Sequence, residues 1–535
     1  MRIATGAKSA SLILGPDMDQ SQDAVFKFMQ GLTSNDPDRP DVKRIDTHAN
    51  IVFLVGSLAY KIKRNVRFPF LDYSTLALRE RACKAEITFN QPNAPQVYLR
   101  ALPVTLEADG NLSLDGAGEP VEWVVEMRRF DTQNELDVRA GAAPFSDTLS
   151  DKLASMMVAA HGEAPTRSGP GFYEALASYV AQNDAAFHEH PELFPPENVR
   201  HLTSQAGNVL SSLKDLILKR GEQGLIRRCH GDAHLRNIVL IEDEPVLFDA
   251  VEFSDEIATG DVLYDLAFLL MDLWERGQLR SANRVFNRYL DLSRLDTHPE
   301  GLACLPFYMM MRAAIRSKIA ASAALAQSDA EQKQVQQALA QKYFRFALAF
   351  LEPSRPELVA IGGLSGTGKT TLAYELATDI GRAPGARVLR TDVMRKRLLD
   401  IPEAEMAPPK AYTLKASNRV YQAIDEAIQA VLASGHSAIF DAVFAAESER
   451  TKIQRIAKSV EADFTGFWLT AAAATLRQRV AGRDQDASDA TADIVDKQLG
   501  YDLGKMSWAQ IEAGGNREGT ASQAREILGR SQSSS

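Results

Sequence analysis

The sequence predicts two domains of different class, an α+β domain followed by an α/β domain built on a parallel sheet. Three observations carry that expectation. "HGDAHLRN" (His230–Asn237) leads into two short apolar runs joined by a turn. "GLSGTGKT" (Gly363–Thr370) follows an apolar run and opens a helical stretch. Between them, "EPSRPE" (Glu352–Glu357) interrupts Ala-rich helical sequence with two prolines and charge, immediately before a new strand. That break reads as the domain boundary.

Length and composition agree with this. A chain of 535 residues exceeds one ordinary core, and 45% hydrophobic with 24% charged residues is the composition of a globular protein. The net charge of -10 argues against a broad nucleic-acid-binding surface. No apolar run approaches the roughly 20 residues of a membrane span, and the first twenty residues hold no signal-peptide core. The expected compartment is the cytosol. Cys83, Cys229 and Cys304 are too widely spaced for a disulfide framework or a zinc pattern and read as buried thiols. The expected boundaries are an unstructured 1–24, a first domain over 25–351, a linker at 352–357, a second domain over 358–525 and a polar tail at 526–535.

In His-Gly-Asp-x4-Asn the acid and the amide stand at a fixed separation. Asp232 is placed to orient and deprotonate an acceptor hydroxyl, and Asn237 to reach a Mg²⁺. "IVLI", "EDEP" and "VLFD" then form a hairpin ending in Asp249. It sets a second carboxylate beside Asn237, as phosphoryl transfer from ATP requires. The competing reading is a plain loop.

"HGDAHLRN", "FDAVEF" and "GDVLYDLAFLL" together resemble the aminoglycoside phosphotransferase and choline kinase family. The resemblance implies a protein-kinase-like bilobal α+β fold, with lobes of about 25–130 and 131–351. It implies that Asp265 braces the catalytic loop and that His230 supports the loop without reacting. Such a fold calls for a nucleotide-binding lysine on an early strand. "IVFLV-GS-LAYKIK" is a tight hairpin whose second strand puts Ala59 and Lys61 on one face. Lys61 is the choice for the α- and β-phosphates, with Lys63 on the same face as the alternative. In the helix from Ser74 to Asn90 the resemblance points to Glu86 as the lysine's partner, with Glu80 as competitor. "VEWVVEMRRF" (Val121–Phe130) would run into the hinge, its backbone near Met127 holding the adenine. No G-x-G-x-x-G precedes the lysine strand, which disfavours an ordinary protein kinase and leaves the phosphate-covering loop unassigned.

The second motif, Gly363-Leu364-Ser365-Gly366-Thr367-Gly368-Lys369-Thr370, with Thr371 after it, has the strand-before, helix-after context of a P-loop. Backbone N–H groups would cradle phosphates, Lys369 would neutralise β- and γ-oxygens, and Thr370 would take Mg²⁺. "AIFD" ends a strand at Asp441, a second carboxylate for that metal or else a turn residue. "VLRTDVMRKRL" puts Asp392 at a strand end, as acceptor base or helix cap, with Arg395 able to hold an anionic acceptor. Arg479 and Arg483 stand one helical turn apart, as a lid over the triphosphate or as a solvated basic face. "TD", "IFDAVF" and "DASDA" resemble the small P-loop kinases near gluconate kinase, zeta-type toxins and polynucleotide kinase. The pair of modules resembles fused bacterial phosphotransferase/ATP-binding proteins.

The sequence therefore reads as an ATP- and Mg²⁺-dependent phosphotransferase with two kinase-type sites acting on a small hydroxyl acceptor such as a sugar or polyol. Neither a membrane nor a nucleic acid is an expected partner. Alternatives are one active kinase with a regulatory nucleotide sensor, or a polynucleotide 5′-hydroxyl or nucleotide-sugar kinase in the second half.

Overall fold

The structure, a computed structural model, describes residues 19–34, 41–68, 71–294, 298–403, 405–482 and 488–529. The chain divides into two compact units, 1–277 with 307–351, and 278–306 with 352–535.

In the first unit a six-stranded antiparallel sheet is ordered Lys43–Asp46, Asn50–Val55, Leu58–Lys63, Glu119–Arg128, Tyr98–Leu106, Leu112–Leu114. The two-residue turn Gly56-Ser57 closes the second and third strands, with Gly56 at φ 57° and Val55 opposite Leu58. The Leu58–Lys63 strand is buried along almost its whole length because both faces are covered. Tyr60 and Ile62 join a core with Phe53, Val104 and Val124. Ala59, Lys61 and Lys63 alternate onto the opposite face, toward the helix Leu76–Asn90, which is capped by Thr75. That alternation makes the site.

The segment expected to lack structure as far as residue 24 departs from expectation in its last part. A helix spans Asp19–Gln30, and its Val25, Phe26 and Met29 complete the sheet's outer core. The buried Gln22 amide donates to the Lys63 carbonyl and to Glu122, and accepts from the Asn65 N–H. At the other end, the last helix runs through Ile527, into the stretch expected to be tail.

The remainder of the first unit, apart from short strand pairs such as Ile226–Arg228 with Thr259–Asp261, is helical, around the helix Val262–Glu275, of which nearly every residue is buried. A short hairpin, Ile238–Ile241 with Glu244–Leu247, sits beside it.

The second unit carries a five-stranded parallel sheet ordered Arg387–Arg390, Ala438–Asp441, Glu357–Gly363, Asp463–Thr470, Ala509–Glu512. The glycine-rich loop leaves the carboxyl end of the central strand, where open α/β sheets bind ligands. The fifth strand, "AQIE", was not among those expected from the sequence.

The segment 278–306, expected in the first domain, packs with the second unit. The reason lies in one stripe of the helix Leu279–Ser293. Asn283, Asn287 and Asp291 fall four residues apart and meet the sheet's edge strand. Asn283 Nδ2 donates to the carbonyls of Pro384 and Ala386 at 3.0 and 3.1 Å. Asn287 Nδ2 donates to the Ala386 carbonyl at 3.1 Å, while its Oδ1 accepts from the Val388 N–H at 2.7 Å. Arg387 pairs with Asp291. Side-chain amides thus do what a sixth strand would do for an unpaired edge.

Asn287→Ala should orphan the Val388 N–H and part of the Arg387 guanidinium, at about 1–3 kcal/mol for each buried group left unsatisfied. Hydrogen exchange should show the Val388 amide losing protection in the otherwise folded chain. Unchanged protection would mean that packing alone seals this edge.

Candidate active sites

In the first unit the sheet, the helix Leu76–Asn90 and the segment after the hairpin bring five buried charges together. Lys61 Nζ lies 2.6 Å from Glu86 Oε1 and 2.8 Å from Asp249 Oδ1. Lys63 Nζ lies 2.5 Å from Glu86 Oε2 and also pairs with Glu252, which accepts from the Tyr73 hydroxyl at 2.8 Å. Burial opposes charge on Lys61, but Asp249 and Glu86 outweigh it and hold the ammonium above its ordinary range. Burial likewise opposes charge on Asp249, and Lys61 holds it below the usual carboxylate range. Of the two lysines, only Lys61 touches Asp249 among the described residues. Glu80 is half-exposed and pairs with Lys84 at 2.6 Å, away from this cluster.

Asp249 is set by its backbone, which stands in the left-handed region at φ 65°. Its N–H donates to the Tyr98 hydroxyl, and the next N–H, of Ala250, donates to Asn90 Oδ1 at 2.6 Å. The hairpin register pairs Ile238 with Leu247, and the Phe248 N–H donates to the Asn237 carbonyl, so Asp249 follows directly beside Asn237. Met127 lies one residue inside its strand end, opposite Ala59 and Tyr98, partly buried with Phe130 and Phe248.

The catalytic-loop candidate is held from below by the buried helix. Asp265 Oδ1 accepts from the Gly231 N–H and Asp272 Oδ2 from the Leu235 N–H, both at 2.9 Å. These carboxylates are two turns apart on one helix face. Gly231 stands at φ 81°, where a Cβ would lie 3.1 Å from the Ala258 Cα. His230 accepts the Asp232 N–H at Nδ1 and donates from Nε2 to the Phe248 carbonyl at 2.9 Å. Burial lowers its pKa further, so it is a neutral brace. Asp232 accepts from Asn237 Nδ2 at 2.9 Å and lies 3.4 Å from His234 Nε2. Against the cost of burial, His234 and Arg316 hold its carboxyl well below the usual range.

In the second unit the loop Gly363–Gly368 turns through three positive-φ glycines, at 145°, 85° and 91°. A Cβ on Gly366 would lie 2.7 Å from the Leu476 carbonyl oxygen, so only glycine fits there. Ser365 N–H donates to Gln498 at 2.7 Å, and Lys369 Nζ donates to the Leu364 carbonyl at 3.1 Å. Thr367 closes the turn onto Leu364, and Thr371 lies in the first turn of the helix Lys369–Ala377. Thr370 Oγ1 donates to Asp441 Oδ2 at 2.6 Å, joining the two expected metal ligands.

A cavity of about 440 Å³ opens here, lined by Lys369, Thr370, Asp441, Asp392, Arg390 and Arg395 among others. Asp392 is the second residue of the helix Thr391–Leu398, whose cap position is Arg390, so capping is not its role. Burial raises its pKa, Arg390 opposes the rise and Asp441 adds to it. Arg395 donates to the Ala411 carbonyl at 2.6 Å and lies over the Tyr412 ring.

Arg479 corrects its expected lid role. Its guanidinium donates to the carbonyls of Ala513, Gly514 and Gly515 at 2.7 to 3.3 Å, tying a helix to the loop after the last strand, and it does not line the cavity. Arg483 lies outside the described residues. Residues that the motifs did not single out include Glu252, Asp272, Arg390 and Gln498. Asp272 had a legible signal, since it repeats Asp265 at seven residues in an apolar helix. Gln498 had none, because its helix carries no recognisable pattern.

Both sites present hard oxygen ligands, carboxylate with amide or carboxylate with hydroxyl, the donor chemistry that Mg²⁺ takes. Asn237 and Asp249 fit it in the first site, Thr370 and Asp441 in the second.

Residues 66–304 match the model of the phosphotransferase enzyme family, and residues 358–501 match that of an AAA domain. The chain is 29% identical over 503 residues to an uncharacterized protein of Mycobacterium tuberculosis, covering 92% of this chain and 96% of the relative. It is similar to a choline/ethanolamine kinase family protein from Mesorhizobium loti, at 14% identity, 62% and 99% coverage and a TM-score of 0.34. It is also similar to a gluconokinase from Sinorhizobium meliloti, at 18% identity, 32% and 92% coverage and a TM-score of 0.24. Two successive segments of the chain thus match two different family models, the first of a phosphotransferase enzyme family and the second of an AAA domain over the parallel sheet and its glycine-rich loop. Among the described residues no helix is long and apolar enough to cross a membrane.

Proposed function

We propose that this joined pair is two separate ATP-dependent engines, each transferring the γ-phosphoryl group to a hydroxyl of a small acceptor. One observation supports this above the rest. Each unit assembles its own lysine, its own metal-type carboxylate and its own candidate base, namely Lys61, Asp249 and Asp232 in one and Lys369, Asp441 and Asp392 in the other.

In the first site Lys61 is fixed by Glu86 to meet phosphate oxygens, and Asp232 orients the acceptor hydroxyl and receives its proton as the bond forms. Bound Mg²⁺ would neutralise charge on the β- and γ-phosphates, held by Asn237 and Asp249 here and by Thr370 and Asp441 in the second site. There, Lys369 and the loop N–H groups bind the phosphates, and Asp392 receives the proton. The membrane-independent, cytosolic setting expected from the sequence suits both reactions.

Asp232→Asn keeps size but not basicity, and should cut transfer at the first site about 10²–10⁴-fold while ATP still binds. Transfer near the wild-type rate would remove Asp232 from this role.

The pKa shifts order the two pH profiles. Each base works only when ionised; Asp392 is shifted up and Asp232 down. As pH falls, the second site should therefore lose rate first, measured with Lys61→Ala to isolate it and Lys369→Ala to isolate the first. The opposite order would overturn the assignment of at least one base.

Calorimetry should count about two ATP per wild-type chain and one in each lysine variant. A wild-type count of one would favour a single engine.

A further inference from the structure

A cavity of about 630 Å³ in the first unit adjoins the catalytic loop and is lined by the turn Asp46–His48, Arg64, Arg236, Arg316 and the two helices Leu305–Leu325 and Ala330–Leu351. Its size suits a metabolite. Its charge is what separates it from a site for a neutral or cationic sugar. Three arginines and His48 face one aspartate, Asp46.

That aspartate is already engaged, lying 2.8 Å from Arg44 and 3.9 Å from Arg64. Arg236, in the catalytic loop, lies 3.1 Å from Asp137, which is not a lining residue. Arg316 has its guanidinium 5.7 Å from the centre of the Tyr343 ring, and among the described residues no carboxylate lies within ion-pair distance of it. Burial opposes its charge, and Tyr343, Asp272 and Asp232 together restore it. Arg316 also helps to keep Asp232 ionised, so the cation and the base act on one another. The rest of the wall is small and neutral, with Ala320, Ala323 and the amides of Gln332 and Gln336.

We propose that the acceptor of the first site is an anionic alcohol, a polyol that already carries a phosphate or carboxylate group, with its anionic group on Arg316 and Arg236 and its hydroxyl toward Asp232. This rests on the phosphotransfer reading above and names the substrate class for it. The planar guanidinium forks match either oxyanion, and a site built around them rejects a cationic ligand by repulsion. In the transfer, the acceptor oxygen forms the new bond to phosphorus and the bond to the ADP oxygen breaks. The hydroxyl proton passes to Asp232. The product carries one phosphoryl group more than the acceptor.

The test uses the full chain carrying Lys369→Ala, so that only the first site turns over. Calorimetry in the presence of a saturating non-hydrolysable ATP analogue would compare glycerol 3-phosphate, gluconate, sorbitol and glucosamine as probes, and acceptor-dependent ADP release would follow with ATP. The expected result is binding of the two anionic probes and weaker or no binding of the other two. Arg316→Gln should weaken the anionic probes about 10- to 100-fold and flatten the discrimination, Arg316→Lys should recover part of it, and Arg236→Gln should act in the same direction. A purely structural role for Arg316 would lower all four probes together and leave their ratio unchanged.

Preference for sorbitol or glucosamine, an unchanged ratio in both arginine variants, or no binding of either anion would overturn the inference. The phosphotransfer reading fails separately, if ADP release by any acceptor is indifferent to Asp232→Asn.

Discussion

The buried pairing of Lys61 and Lys63 with Glu86, Asp249 and Glu252 is the constraint on which the first unit depends. Two ammonium groups and three carboxylates are removed from water, and no one of them could be held there alone, since desolvating a single ion costs several kcal/mol. The network therefore ties a strand, a helix and the segment after the hairpin into one geometry. Removing one member leaves its partner charged and buried. Core packing could be satisfied by apolar residues at these positions, so the charges point to function, and the excess of one carboxylate leaves room for a cation.

The same constraint explains which features were legible. Ala59, Lys61 and Lys63 share a strand face by simple alternation, and the burial of the other face follows from Tyr60 and Ile62. What alternation could not decide was which lysine pairs with the carboxylate after the hairpin. That answer depends on Asp249, 188 residues away, and on the left-handed backbone that turns its carboxylate toward Lys61. In the second unit, loop, strand and helix are contiguous in sequence, so glycine spacing alone described the tight turn between them. Asp441 and Thr370 needed only the parallel register to meet.

What the sequence hid was set by contacts between distant segments. Arg479 and Arg483 looked like a lid because helical spacing says which residues share a face and not what that face meets. Arg479 meets carbonyls. The strand Ala509–Glu512 has too weak an alternation to stand out, and it forms because the neighbouring strand offers an edge. Residues 19–24 were expected to lack structure, yet they form the first half of the helix Asp19–Gln30, whose Val25, Phe26 and Met29 cover the sheet.

The segment 278–306 carries the furthest consequence. A sequence break marks where composition changes, and 352–357 does so; Gly277 marks the end of one helix, as glycines also do inside a domain, and the strongly two-faced helix Leu279–Ser293 does not itself say which sheet its polar stripe meets. The chain leaves the first unit after Gly277, returns at Phe307 and leaves again after Leu351. Neither unit is therefore one continuous stretch. A fragment beginning at residue 352 would keep Lys369, Thr370, Asp392 and Asp441, yet it would lose Asn283, Asn287 and Asp291 and bare the strand Arg387–Arg390. That strand runs into Asp392, so an uncovered edge would loosen this carboxylate and the cavity wall together. The two units are then interleaved along the chain, because the segment that closes the second unit's sheet, 278–306, lies in sequence between two parts of the first.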